Sequence, residues 1–300
     1  MTDGIADQTV ARAGRIVCIA NQKGGVGKTT TAVSLAAALA ELGIRVLMVD
    51  LDPQGNATTG IGLRVEEGDP STYGVLVDGM AVTEAVQTTE NACLDVLPSS
   101  LDLAGAEVEL VPAFSREHRL QRALESMRSS YDVVLIDCPP SLGLLTINAL
   151  VAADEVLVPI QCEYYALEGL GQLIRTIELV ETNLNRDLTL GSVVLTMFDG
   201  RTNLSQQVVD EVRGYFGAKA LSTVIPRSVR LSEAPSFGQA ITQFDPTSRG
   251  ARSYQRLARE FAERLGLRAE KPDVSPLDRL LGTELVDDAE HRTPDQEYGP

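Results

Sequence analysis

Gly24, Gly25 and Gly27 lie close together between an apolar run, RIVCIAN (15–21), and an Ala/Leu-rich run, TTTAVSLAAALAEL (29–42). Few folds accept that order. The first run reads as a short buried strand, the glycines as a tight turn, and the second run as a helix that stops at Gly43. RVLMVDLDP (45–53) follows as a second strand ending in carboxylates. Strand, turn, helix and strand make a βαβ unit with a right-handed crossover.

The alternation continues along the chain. CLDVLP (93–98) and YDVVLIDCPP (131–140) read as strands around a charged helix near 114–129. EVLVPIQ (155–161), SVVLTMF (192–198) and LSTVIP (221–226) are further strands, with helices near 165–182 and 203–216. A last helix runs from about Ser248 to Leu265. Aromatic residues are scarce at 4% and Trp is absent, as suits aliphatic strands buried on both faces. The expected fold is α/β: one domain over 15–266, with a mostly parallel, twisted sheet and helices on both faces. Residues 1–14 read as a flexible arm. Residues 267–300 read as an acidic, disordered tail, within which PLDRLLGTEL has the pattern of a short helix.

The glycine turn carries chemistry. Gly27-Lys28-Thr29 ends the pattern G-x-x-x-x-G-K-[ST], in which backbone N–H groups and a helix N-terminus hold phosphates. Lys28 reaches the β- and γ-phosphates in that pattern, and the Thr29 hydroxyl binds Mg²⁺. Two departures matter. Gln22 stands where the first Gly belongs, so that residue needs only an ordinary backbone conformation. Lys23 follows it, a second cation placed before the cradle. In two copies facing each other, each Lys23 reaches the other's nucleotide, as an arginine finger does. Asp50, Asp52 and Asp137 all fall at carboxyl ends of expected strands, where parallel sheets bind ligands. Asp137 follows VVLI and is expected to hold Mg²⁺ through a water. Asp50 points to the other side of its strand end and reads as structural.

KGGVGKTT resembles the deviant phosphate loop of the ParA/MinD group of P-loop ATPases, with Lys23 as its signature lysine. VDLDPQGNAT (49–58) and VLIDCPPSLG (134–143) resemble that group's next two motifs. RTNLSQQV (201–208) and VIPRSVRLSEAPSFGQ (224–239) resemble the chromosomal ParA/Soj branch. The similarity runs from about 15 to 266. It implies an ATP-dependent homodimer, weak Mg²⁺-dependent ATP hydrolysis, non-specific binding to double-stranded DNA, and a centromere-binding ParB-type partner in chromosome or plasmid partitioning. By the same resemblance Asp52 orients the attacking water, PQGNATTG forms a flexible switch loop, and the nucleotide meets Lys23, Gly24, Gly25, Val26, Gly27, Lys28, Thr29 and Thr30. The backbone around Pro226 and Arg227 lines the adenine, and Arg201, Lys219, Arg227 and Arg230 contact DNA.

Charge fits this only locally. The net charge is −16, the wrong sign for a nucleic-acid binder. Residues 196–265 hold ten basic and seven acidic side chains, a surplus of three positive charges, whereas 268–300 hold four and nine. No apolar run reaches membrane length, and MTDGIADQTV lacks the basic region and apolar core of a signal peptide, so a cytoplasmic protein is expected, and the resemblance implies that it is nucleoid-associated. Three alternatives remain. A MinD-like division-site ATPase ends in a basic amphipathic helix, and this chain ends in acid. An iron–sulfur ATPase needs paired cysteines, and Cys18, Cys93, Cys138 and Cys162 are scattered. An ATP-gated binding protein with little turnover shares every motif above, and only a partner-stimulated rate lost in Asp52→Ala separates it.

Overall fold

The computed structural model describes residues 13–164, 166, 170–267 and 276–281. Eight strands form one sheet: β1 (Arg15–Ile19), β2 (Val46–Asp50), β3 (Gln87–Thr88), β4 (Leu94–Leu97), β5 (Val133–Asp137), β6 (Glu155–Gln161), β7 (Thr189–Phe198) and β8 (Ala220–Pro226). Their order is β3-β4-β2-β5-β1-β6-β7-β8. Every pairing is parallel except β3 with β4 at one edge. The central strands β2 and β5 are buried throughout, which is why they read as continuous apolar runs rather than alternating ones.

Thirteen α-helices are described: α1 (Lys28–Glu41), α2 (Asn56–Gly60), α3 (Thr72–Leu76), α4 (Val82–Ala85), α5 (Leu103–Glu109), α6 (Arg119–Glu125), α7 (Leu144–Ala152), α8 (Leu170–Asn183), α9 (Asn203–Phe216), α10 (Val229–Glu233), α11 (Ile241–Phe244), α12 (Arg249–Leu265) and α13 (Pro276–Leu281). The core divides into two layers, one on each face of the sheet. One layer joins α1 and α12 through Leu35, Leu39, Tyr254, Leu257 and Phe261. The other packs α5 to α9 through Leu103, Leu120, Leu145, Leu173 and Val208. α12 is strongly amphipathic, and it starts at Ser248, whose hydroxyl accepts Ala251 N at 3.1 Å. It ends at Gly266 in the left-handed region, φ 64°.

Several expectations change here. The helix near 114–129 is a 3₁₀ turn, Arg116–His118, followed by the shorter α6. The helix near 165–182 begins, within the described residues, at Leu170. Part of the expected switch loop PQGNATTG is helical, because Gly55 at φ 60° turns the chain into α2. The expected arm at 1–14 falls outside the described residues up to 12, but Gly14 is buried, with N–H donating to Arg128 O at 2.6 Å. Most of the expected tail lies outside the described residues. The short helix foreseen there is present as α13, and Leu277 is buried beside α4. No helix among the described residues is long and apolar enough to cross a membrane.

Candidate nucleotide site

β1 delivers the chain to the carboxyl edge of the sheet, and residues 20–27 turn there into α1. Asn21 is buried and fastens the turn: its Nδ2 donates to Pro159 O at 2.8 Å, and its Oδ1 accepts Lys23 N at 3.0 Å. On the other side Thr196 Oγ1 donates to Val26 O at 2.8 Å. Gly25 and Gly27 take φ values of 74° and 89°, which other residues adopt only with strain. Gln22 does not: among the described non-glycine residues only Ser115 and Met197 have positive φ. Lys28 begins α1 and is buried, with Nζ donating to Lys23 O at 3.4 Å. Burial lowers its pKa, opposed by the charges of Asp137, Cys138 and Asp52.

Parallel register sets Asp50 directly beside Asp137. Both are fully buried, yet their surroundings differ. Asp50 accepts Thr58 N at 2.8 Å, Thr58 Oγ1 at 2.7 Å and Asp52 N at 3.1 Å. Burial pushes its carboxyl up to about 6 despite those donors. Neither carboxylate oxygen of Asp137 has a hydrogen-bond partner among the described residues. Burial, then the neighbouring Asp50, raises Asp137 well above the usual carboxylate range; Thr29 and Lys28 oppose this from close by without forming a hydrogen bond of normal geometry. A buried, unpartnered carboxylate beside a threonine hydroxyl is a hard oxygen-donor pair, and it fits a magnesium ion.

Asp52 is the more accessible carboxylate, at the mouth of the same edge. Its Oδ1 accepts Gln54 N at 2.9 Å, and its carbonyl accepts Ser99 Oγ at 2.7 Å. Ser99 N in turn donates to Thr58 Oγ1 at 3.0 Å. One hydroxyl network therefore joins Asp50, Thr58, Ser99 and Asp52. Ser99 stands outside every expected motif, and Thr58 falls in the expected switch loop without a role of its own. Position was the available signal, since Ser99 follows β4 at the ligand-binding edge.

The chain has relatives among known proteins. The family model described as an AAA domain matches residues 14–190. The chain is 58% identical over 249 residues to the sporulation initiation inhibitor protein Soj of Bacillus subtilis, covering 83% of this chain and 98% of that one. The chain belongs to the Soj/ParA family of chromosome-partitioning ATPases. The chromosome partitioning protein ParA of Myxococcus xanthus, 53% identical over 261 residues, covers 87% of this chain, which spans 92% of it. Among solved structures, cobyrinic acid a,c-diamide synthase from Mycobacterium smegmatis with bound ATP analogue and magnesium has a TM-score of 0.72 and 38% identity, over 87% of this chain and 98% of that one. Like other members of the Soj/ParA family, this is a P-loop ATPase chain.

Within this family member, Pro226 and Arg227 line a cavity of about 650 Å³ together with Phe198, Asp199, Arg201 and Arg249. Met197, just before it, is held at φ 53°, a strained backbone beside the cavity. The four residues expected at DNA are not brought together. Arg201 and Arg227 share that cavity, and each meets a carboxylate. Arg201 grips Asp199 at 2.8 and 2.6 Å, and Arg227 Nη2 reaches Glu163 Oε1 at 2.9 Å. The Arg201 bond holds Asp199 well below the usual carboxylate range. Arg230 on α10 pairs with Glu233 at 3.0 Å and Asp245 at 3.5 Å, with its guanidinium 5.9 Å from the Phe244 ring centroid. Lys219 precedes β8, at the opposite edge of the sheet, beside Glu178, Glu181 and Tyr215. Of the cysteines, Cys18 and Cys138 touch at 3.3 Å inside one core layer, and Cys93 lies in the other.

Proposed function

We propose that this chain hydrolyses ATP with Mg²⁺, closes as a homodimer when ATP is bound, and in that state binds double-stranded DNA without sequence preference. Hydrolysis, stimulated by a ParB-type partner, opens the dimer, and the cycle serves chromosome or plasmid partitioning in the cytoplasm, on the nucleoid. The observation that carries this reading is the buried Asp137 carboxylate, unpartnered and adjacent to Thr29 and Lys28 at a glycine-rich helix start.

The backbone of Gly24, Gly25, Val26 and Gly27, with Thr30 in the first turn of α1, cradles the phosphates. Lys28 neutralises the β- and γ-oxygens. Thr29 and Asp137 would hold magnesium, Asp137 through a water; the ion would supply positive charge that offsets the charge developing on the phosphate oxygens. Asp52 orients the attacking water, its main chain fixed by Ser99. Lys23 crosses to the nucleotide of a second copy, which makes closure depend on ATP. Pro226 and Arg227 line the adenine in the cavity they share with Phe198. Arg201, Arg227 and Arg230 supply phosphate contacts to DNA, and Lys219, at the opposite edge of the sheet beside Glu178 and Glu181, stands apart from them.

Size exclusion with light scattering, in ADP and in ATP, with and without duplex DNA, tests the cycle. The mass is expected to double in ATP, most durably in Asp52→Ala, and DNA is expected to co-elute only with the doubled species. A single-chain mass in ATP for both proteins overturns the proposal.

A further inference from the structure

α6 turns one face to the core and another to a groove. Leu120 and Leu124 are buried in the core. Arg119, Arg122, Ala123 and Ser126, spaced as one helical face, line a groove of about 380 Å³. Val75, Met80 and Val82 form its opposite, apolar wall. Among the described residues no carboxylate lines it. Arg119 Nε is buried without a hydrogen-bond partner, and neither arginine has an ion-pair partner among the described residues. A buried guanidinium N–H without an acceptor is costly, so the groove suits an anionic segment with apolar anchors.

The chain brings such a segment to this place. α13 has already returned to the domain: Leu277 is buried, its N–H donates to Asp95 Oδ2 at 3.2 Å, and the helix packs against α4. α4 is also a wall of the groove, through Val82 and Thr83. Residues 282–300, which follow α13, carry six acidic side chains and one arginine. They hold one pair of adjacent aliphatic residues, Leu285 and Val286, flanked by Glu284, Asp287 and Asp288. Four residues of extended chain span roughly 13 Å, about one helix diameter, which is enough for Leu285 to cross α4 from Leu281. We propose that residues 284–288 fold back into the groove between α4 and α6, with Leu285 and Val286 on its apolar wall and the flanking carboxylates on Arg119 and Arg122.

Folding back also decides where the acids of the tail stand. Asp95, which holds Leu277, lies on β4, near one edge of the sheet, whereas Arg227 follows β8 at the other. A docked tail keeps its carboxylates away from the arginine cavity; a released tail competes with DNA for those cations. This consequence rests on the DNA-binding reading above.

The probe is a fluorescein-labelled peptide of residues 282–291, titrated by anisotropy into three full-length chains: the wild type, Leu285→Ser with Val286→Ser, and Arg119→Glu with Arg122→Glu. A tethered segment acts at millimolar effective concentration, so the titration runs into that range. The serine variant, its own tail released, is expected to bind the peptide roughly tenfold or more tighter than the wild type, whose tail competes. The glutamate variant is expected not to bind it, and to bind a peptide in which Glu284, Asp287 and Asp288 are replaced by lysine. Should the glutamate pair shift the thermal midpoint, Arg122→Glu alone, at an exposed position, is used in its place. Equal binding to the wild type and the serine variant, or no binding to either, overturns the inference. So does a nucleotide-free wild-type mass that doubles with concentration and stays single in the serine variant, which places the tail on a second copy. In ATP, the serine variant is expected to bind duplex DNA several-fold more weakly than the wild type; equal affinity overturns the shielding. A chain that shows the peptide pattern and binds no DNA sinks the DNA reading and leaves the docked tail standing.

Discussion

Two aspartates side by side, Asp50 and Asp137, have opposite surroundings, and the partners decide their roles. Asp50 receives three hydrogen bonds and anchors Thr58; Asp137 receives none among the described residues. A buried carboxylate without a donor is costly until a cation meets it. Asp137→Leu replaces both unpartnered oxygens by methyl groups of similar size and is therefore expected to raise the thermal midpoint of the metal-free chain, by a free energy of roughly 1–3 kcal/mol, the size of one unsatisfied buried polar group. The same variant should lose most of the further rise that Mg-ATP gives the wild type; thermal shift with and without Mg-ATP reads both. Thr58→Val keeps the shape but removes the hydroxyl that serves Asp50 and Ser99. It is expected to cost about 1–3 kcal/mol in urea denaturation. Lys28→Ala should abolish nucleotide binding in equilibrium titration. Asp52→Ala should bind ATP normally and lose roughly a hundredfold or more of its turnover, the usual contribution of a group that handles the water's proton.

Elements were legible in proportion to their length and burial. β1, β2, β5 and β6 are apolar runs whose ends fall within a few residues of the expected ones, and α1, α9 and α12 have periodic or Ala-rich sequences of fourteen to seventeen residues. The missed elements are short or uniform. α7, LLTINALVA, is apolar nearly all round, so it shows no periodicity to read. α2, NATTG, has the composition of a loop and exists because Gly55 adopts the left-handed region and Asp50 receives Thr58 N–H. β3 is two residues long. α12 offers a test at this scale. Ser248→Ala removes the hydroxyl that caps Ala251 N and is expected to destabilise by about 1 kcal/mol in urea, with nucleotide affinity unchanged.

Over the whole molecule the net charge of −16 opposes the DNA binding proposed above, so that proposal depends on where the arginines stand. Arg201 and Arg227 share a cavity with Arg249 at the carboxyl edge, whereas Lys219 lies at the other edge among acids. DNA affinity in ATP is thus expected to fall in Arg227→Ala and Arg230→Ala, with the log–log salt slope shrinking by roughly 0.9 per lost phosphate contact. Lys219→Ala should leave both affinity and slope nearly unchanged, and anisotropy titrations at several salt concentrations separate the cases. The order of apolar runs and turns by itself determined the parallel sheet, the phosphate loop and the carboxylates at strand ends, because periodicity and glycine placement are local properties of a chain. Tertiary structure alone decided that Asp137 is unpartnered while Asp50 is not, that Ser99 holds Asp52, and that Lys219 stands apart from the arginines. Those facts depend on which strands become neighbours and in what register, and no local stretch of sequence encodes them.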